Sequence, residues 1–182
     1  MSDRTNVLIA CALLVVAATI SVGAVMVTEP AATTTTATTA AETISIGEEA
    51  TATPSETMTV EPGETVTVSV WANASAVSGY QTRLTFDPAV VRVEEVSGSD
   101  DFADPVANVD NDAGSVDFNQ VRGSDAENPV LAEITLTVVG EVGESAALSF
   151  DRSGAGTKFA TDGGQTFTPQ TYGDVTVSVE ET

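Results

Sequence analysis

Histidine is missing from this 182-residue chain, and lysine and cysteine occur once each, as Lys158 and Cys11. Without an imidazole, a Ser-His-Asp triad, a histidine general base and a histidine metal site are all excluded. A single cysteine cannot form an intramolecular disulfide, and Cys11 lies within an apolar run, which excludes thiol catalysis in the rest of the chain. Carboxylate chemistry of the glycosidase kind remains. The 27 Asp and Glu residues offer no distinctive pair, so we predict that the protein is not an enzyme.

Positive charge is also scarce, with 6 Lys and Arg against 27 Asp and Glu and a net charge of −21. Such a balance repels nucleic acid and anionic membrane surfaces. Disorder is not expected for most of the chain, because 42% of its residues are hydrophobic and its valines are patterned. The near absence of lysine, with abundant Ala, Val and Thr, resembles proteins adapted to molar salt. There the Debye length is only about 3 Å, so surface carboxylates are largely screened from one another.

An apolar run without charge extends from Val7 to Val27, 21 residues in all. At about 1.5 Å per residue, a helix of that length spans the roughly 30 Å hydrocarbon core of a membrane. We therefore predict a transmembrane anchor over residues 1–28. The alternative is a signal peptide cleaved near Val22-Gly23-Ala24. Both would export the rest of the chain, either as the extracellular part of a single-pass cell-membrane protein or as a secreted protein.

Residues 29–42 form a Thr/Ala-rich tract that has nothing to build a core, and its composition is typical of a spacer. Whether its threonines are O-glycosylated is left open. Every aromatic residue lies between Trp71 and Tyr172, which places the core in a domain over residues 43–182. Within it, short Val/Thr/Ile/Phe runs alternate with Gly, Pro and Asp turn signals, and no helical period stands out. This pattern predicts an all-β sandwich of about eight or nine strands.

The run from Tyr80 to Val96 is the most informative part of that domain. It indicates two extended segments joined at Asp87-Pro88, where proline fixes φ and the Asp87 carboxylate can accept a hydrogen bond from the backbone beyond it. Residues of the first segment alternate between two faces. The expected inward residues are Tyr80, Thr82, Leu84 and Phe86, and the expected outward ones are Gln81, Arg83 and Thr85.

The order aromatic-Asp-Pro-x-Val-Val-x-Val in this run closely resembles a strand pair near the start of cohesin domains. Other segments are similar to later family strands in order and spacing: residues 60–70, 110–118, 129–138 and 173–179. The resemblance implies a cohesin-like jelly-roll β-sandwich, related in fold to carbohydrate-binding modules. With the acidic composition, it points to a surface protein of a halophilic archaeon.

The same resemblance implies a non-catalytic recognition module whose partner is a dockerin-like protein. In cohesins the dockerin meets the outward face of one sheet, through a strand that matches Gly79 to Phe86. The candidate partner-binding residues are therefore Gln81, Arg83 and Thr85, with Asp117 and Asn119 from the neighbouring strand. Well-studied cohesins carry Asn and Asp where this chain has Gly79 and Gln81, so the chain departs from the family pattern there.

Two other functions remain open. One is polysaccharide binding, for which Trp71 is the candidate because strand alternation places it opposite Val66, Val68 and Val70, where its ring could stack on a sugar. The alternative is that Trp71 caps an edge of the sandwich or packs in a second layer. The other function is that of a structural or adhesive surface domain without a specific ligand.

Two local motifs remain. Asn73-Ala74-Ser75 is an N-glycosylation acceptor triplet that follows the expected strand from Val66 to Trp71, and we expect it to lie in a loop. Asn108, Asp110 and Asp112 have the 1-3-5 spacing of a calcium loop, but Ala113 stands where such loops need glycine and Asn119 where they need a bidentate Glu. We therefore expect a solvated acidic loop and no cofactor, with calcium as the weaker alternative.

Overall fold

The computed structural model describes residues 42–48 and 55–181, all within one compact unit, Thr38–Thr182. Within these ranges the chain forms twelve β-strands and no helix. The strands are β1 Thr43–Gly47, β2 Ser55–Val60, β3 Thr65–Asn73, β4 Val77–Thr85, β5 Val91–Ser97, β6 Val106–Asp110, β7 Ser115–Ala126, β8 Val130–Val138, β9 Ser145–Phe150, β10 Lys158–Ala160, β11 Thr166–Phe167 and β12 Thr171–Val179.

Strand β4 lies at the centre of the sheet that carries the candidate partner-binding residues. One of its edges pairs with β7, and β6 adds outside β7. Its other edge pairs with β9 at one end and with β10 at the other, and β11 adds outside β10. We call the strands β6, β7, β4, β10 and β11 the β4 sheet. The remaining ladder runs from β9 through β12, β1, β3 and β8 to β5.

The core consists of the apolar residues that alternate along these strands. The predicted inward face of β4 is confirmed, since Tyr80, Thr82, Leu84 and Phe86 are all buried. Valines of β3, β5, β8 and β12 fill the interior between the sheets. The all-β sandwich that the sequence predicts is therefore the observed fold.

The predicted corner at Asp87-Pro88 is also observed. The Asp87 carboxylate accepts a hydrogen bond from the Ala89 N–H at 2.9 Å, and the Asp87 carbonyl accepts one from the Val91 N–H at 3.0 Å. Before the corner, the Phe86 N–H donates to the Gly114 carbonyl at 2.8 Å. These bonds fix the outward turn that follows β4, and with it the register of β4 against β7.

The expected count of eight or nine strands is wrong, because twelve are present among the described residues. The additional strands are short or lack an alternating pattern. β10 has three residues, β11 has two, and every residue of β6 is exposed. They form because backbone groups pair with a neighbouring strand, which requires no apolar periodicity.

The placement of Trp71 on a sugar-binding surface is corrected by the structure. Its side chain is only 6% exposed, so the ring lies inside the fold. The register between β3 and β8 shifts between Val70 and Trp71 because Leu131 of β8 is the extra residue, whereas β3 keeps an unbroken register with β1. Trp71 therefore still faces away from Val70 and Ala72, and it is buried because that face is covered as well. Trp71 is buried but does not belong to the main core cluster, in keeping with the packing alternative.

The predicted anchor or signal, Val7 to Val27, and the Thr/Ala tract up to residue 41 lie outside the described residues. In the part that is described, no helix has the length and hydrophobicity needed to cross a membrane.

Candidate functional site

The five candidate partner-binding residues lie side by side on the outward face of β4 and β7. In the antiparallel register, Gln81 is opposite Asn119, Arg83 is opposite Asp117, and Thr85 is opposite Ser115. Directly opposed residues of antiparallel strands project to the same face, and alternation turns this set away from the buried Thr82 and Leu84. The structure thus brings together all five residues that the sequence nominated for partner binding. We call these five residues the outer patch.

Arg83 and Asp117 form the strongest interaction of the outer patch. The Arg83 Nε donates to Asp117 Oδ1 at 2.7 Å, and its Nη2 donates to Oδ2 at 2.8 Å, a bidentate pair. The hydrogen bond and charge of Asp117 raise the pKa of the Arg83 guanidinium, and the charge of Asp151 adds to this. Both side chains remain partly exposed, at 46% and 38%. The pair therefore offers a planar, oriented charge couple to solvent.

Gln81 and Thr85 each donate a hydrogen bond to a backbone carbonyl beyond the other edge of β4. The Gln81 side-chain amide donates to the carbonyl of Ala155, in the loop between β9 and β10. The Thr85 hydroxyl donates to the Ser149 carbonyl at 3.4 Å. Both side chains are thus oriented before any partner arrives, which lowers the entropy lost on binding.

Next to Gln81 and Asn119 the β4 sheet contains a groove of about 290 Å³. Its floor includes Gly79, and its sides include Val121 and Lys158. Val121 is 74% exposed, and Lys158 lies directly opposite Gln81 across the β4–β10 ladder. Sequence reasoning overlooked these two residues. Val121 could have been found by continuing the alternation from Asp117 and Asn119, but the position of Lys158 depends on a long-range strand pairing.

Asn73, the predicted glycosylation acceptor, is the last residue of β3 and is partly exposed. It pairs with Thr43 of β1 rather than lying in the loop that was expected, and the loop begins at Ala74. Its glycosylation stays a prediction.

The acidic stretch around Asp110 uses its oxygens for local structure. The Asp110 carboxylate accepts hydrogen bonds from the backbone N–H groups of Asp112 and Ala113, at 3.1 and 2.9 Å. The Asn111 side chain bonds both backbone groups of Val93, at 2.8 and 2.9 Å. Within residues 42–48 and 55–181, no three Asp, Glu, Cys or His side chains converge to form a candidate metal site.

Comparison with solved structures shows that this fold is the fold of cohesins. The chain resembles the sixth cohesin of scaffoldin B from Acetivibrio cellulolyticus, solved in complex with a Cel5 dockerin mutant, with 14% identity and a TM-score of 0.62 over 78% of this chain and 100% of that one. A non-cellulosomal cohesin from the hyperthermophilic archaeon Archaeoglobus fulgidus gives 17% identity and a TM-score of 0.59, covering 78% of this chain and 93% of that one. A Clostridium thermocellum OlpA cohesin bound to the dockerin Doc918 gives 13% identity and a TM-score of 0.61, covering 77% of this chain and 99% of that one.

The family itself is shown by the sequence. The cohesin domain family model matches residues 51–177, which is most of the chain. This protein therefore belongs to the cohesin domain family, a family of non-catalytic binding domains. No curated protein matches the chain.

Proposed function

We propose that this protein is a recognition module that binds a dockerin-like protein through the outer patch on β4 and β7. The observation that carries the proposal is the convergence of Gln81, Arg83, Thr85, Asp117 and Asn119 in one register on an exposed sheet face. The similar cohesins from Acetivibrio cellulolyticus and Clostridium thermocellum were solved with dockerins bound. Membership in the same family supports a protein partner for this chain.

The outer patch suits protein recognition for a physical reason. An arginine fork and an oriented carboxylate can each form charge-assisted hydrogen bonds, and Arg is enriched at the energetic centres of protein interfaces. The hydrogen bonds of Gln81 and Thr85 to the backbone pre-orient the neighbouring polar groups. A partner therefore meets a largely rigid surface.

Polysaccharide binding is the weaker candidate. The aromatic residue nominated for it, Trp71, is buried. A structural or adhesive role without a ligand is the remaining alternative, and it requires no specific surface.

The location we propose is the outer surface of the cell membrane of a halophilic organism. If the run from Val7 to Val27 anchors the protein, the Thr/Ala tract that follows it would be a spacer between the membrane and the exported domain. The net charge of −21 is tolerable where salt screens it. If the run is cleaved, the same domain is secreted.

The test is a co-purification from the source organism, in high salt, with the full chain as bait. We expect a protein with a dockerin-like module to be retained by the wild type and lost when Arg83 is changed to Asp. A double variant, R83D with D117R, keeps the ion pair but reverses its direction, so it should fold normally and still lose the partner. Retention by both variants would place binding elsewhere. The absence of any dockerin-like protein among the retained partners would favour the structural role.

A further inference from the structure

The groove beside the outer patch contrasts in charge with the rest of the molecule. Its polar side chains are Gln81, Asn119, Thr166, the buried Tyr80 and the amine of Lys158, and no Asp or Glu lines it. The chain as a whole has 27 acidic residues and a net charge of −21. A region free of carboxylates, with one amine at its side, is therefore locally suited to an anionic group.

Lys158 is the only lysine of the chain, and no described residue forms an ion pair with it. The nearby bases are different, since Arg83 is paired with Asp117 and Arg152 with Asp174 at 2.8 Å. The Lys158 side chain is half-buried against the groove. Its stem thus contributes apolar contact while its ammonium group remains available for a carboxylate.

Gly79 opens space for an apolar side chain at the floor of the same groove. A Cβ atom there would lie 3.1 Å from Val121 Cγ1 and 3.6 Å from Ala160 Cβ, so any side chain would begin to fill the groove. Apolar surface borders this space, since Val121 is 74% exposed and Val106, opposite Asn119 in β6, is 72% exposed. The groove therefore combines an apolar depression with a cation at its side.

We propose that this groove receives a protein partner through two adjacent side chains, an aliphatic one inserted over Gly79 and an Asp or Glu bound by Lys158. The inference rests on the proposed function and adds the chemistry of the partner. We expect the partner to share the saline environment proposed above and to be acidic like this chain, and molar salt screens the general repulsion beyond about 3 Å. A carboxylate in contact with the ammonium lies within that distance, so this pair keeps its attraction.

The test uses a displayed library of random peptides, selected on the immobilised full chain at about 2 M KCl, where the Debye length is below about 3 Å. The wild type should enrich peptides that carry Asp or Glu close to Leu, Ile or Val. Lys158→Glu should instead enrich Lys or Arg at the acidic position. Lys158→Arg should keep the preference for acid. Arg92→Glu, at an exposed cation in β5, is the matched control and should leave the selection unchanged.

A second pair of variants examines the floor of the groove. Gly79→Ala and Gly79→Leu should weaken a selected peptide progressively, by about tenfold or more for Leu, as expected when an anchor pocket is filled. Retained circular dichroism will show that each variant is folded. If Gly79→Leu does not fold, the smaller Gly79→Ala change still carries the test.

The outcomes separate this inference from the proposed function. The groove proposal is overturned if Arg83→Asp abolishes binding of the selected peptides while Lys158→Glu and the Gly79 variants leave it unchanged. The outer patch would then remain as the binding site. Peptides indifferent to all of these changes would contradict both proposals. Retention of polygalacturonate that depends on Lys158, without any acidic peptide preference, would assign the groove to an anionic polysaccharide and overturn the protein partner.

Discussion

Arg83 can contribute to folding stability and to partner binding, and its geometry allows the two contributions to be separated. Two of its donors are used by Asp117, at 2.7 and 2.8 Å, and the pair is exposed to solvent. Exposed ion pairs contribute little to folding, because solvent screens them and two long side chains must be ordered. Its contribution should therefore appear in binding more than in stability.

We predict that Arg83→Ala weakens the co-purified partner by about tenfold or more, as for an interfacial arginine, and leaves the melting midpoint nearly unchanged. Isothermal titration and thermal melts measure the two effects. Arg92→Ala is the control, because it removes an exposed arginine of β5, at the far end of the other ladder. A lower melting midpoint with intact binding would instead assign Arg83 to the fold.

Gly114 is the residue at which the backbone of the corner tolerates no side chain. Its φ is +65°, and an added Cβ would lie 2.2 Å from the Phe86 carbonyl oxygen. Gly63 has a similar φ of +80° but nothing within 4 Å of its Cβ position. The two glycines therefore separate the cost of left-handed backbone from the cost of a steric clash.

We predict that Gly63→Ala lowers the free energy of unfolding by about 1–2 kcal/mol, the cost of a left-handed alanine. Gly114→Ala should cost about 1–3 kcal/mol more, since the backbone around Phe86 must also move. Urea titrations of both variants test this difference. Equal losses would mean that the corner yields without strain.

At the scale of the element, Asn111 connects the turn between β6 and β7 to strand β5. Its side-chain oxygen accepts from the Val93 N–H and its amide donates to the Val93 carbonyl, at 2.8 and 2.9 Å. The β5–β8 register shifts between Val93 and Glu95. The amide thus takes the place of a pairing strand beside an irregular point of the ladder.

We predict that Asn111→Ala destabilises the domain by about 1–3 kcal/mol, because two partly buried backbone groups lose their partner. Asn108→Ala, at an exposed position of the neighbouring β6, should change stability by about 0.5 kcal/mol or less. Denaturant titration of the two variants provides the measurement. An unchanged free energy of unfolding for Asn111→Ala would show that water replaces the amide at no cost.

At the scale of the whole molecule, the main feature is the large negative net charge. Asp3 and Arg4 cancel, so the chain beyond the apolar run still carries a net charge of −21. Mutual repulsion of that size is screened only when the Debye length falls to a few ångströms. We therefore expect the stability of the fold to depend on the salt concentration.

We predict a marked rise in the melting midpoint between about 0.1 and about 3 M KCl, because screening removes the self-repulsion of the folded state. Circular dichroism melts of the full chain measure it, and sucrose at matched viscosity is the control for general co-solvent effects. A flat profile would argue against adaptation to salt.

We also predict that the full protein partitions with membranes through the run from Val7 to Val27, which is long enough to span the hydrocarbon core. Fractionation of cells followed by N-terminal sequencing tests this. A soluble protein beginning near Val25 would establish cleavage instead.

Much of the architecture follows from local patterns. The alternation from Tyr80 to Phe86 correctly separates buried from exposed residues, and the Asp87-Pro88 corner forms as its residue types predict. Both are local properties, since successive side chains of a strand face opposite ways and the Asp87 carboxylate bonds the backbone only two residues further on. For the same reason the outward set Gln81, Arg83 and Thr85 could be named before the fold was known.

What only the tertiary structure decided depends on contacts between distant segments. Trp71 is buried although alternation turns it away from Val70 and Ala72, and the three-residue strand β10 carried Lys158 to the side of Gln81. Likewise, the pairing of β4 with β7 chose Asp117 as the partner of Arg83 among 27 acidic residues. Strand pairing and register are set by backbone hydrogen bonds between residues far apart in the chain, and no local pattern encodes which strands will meet.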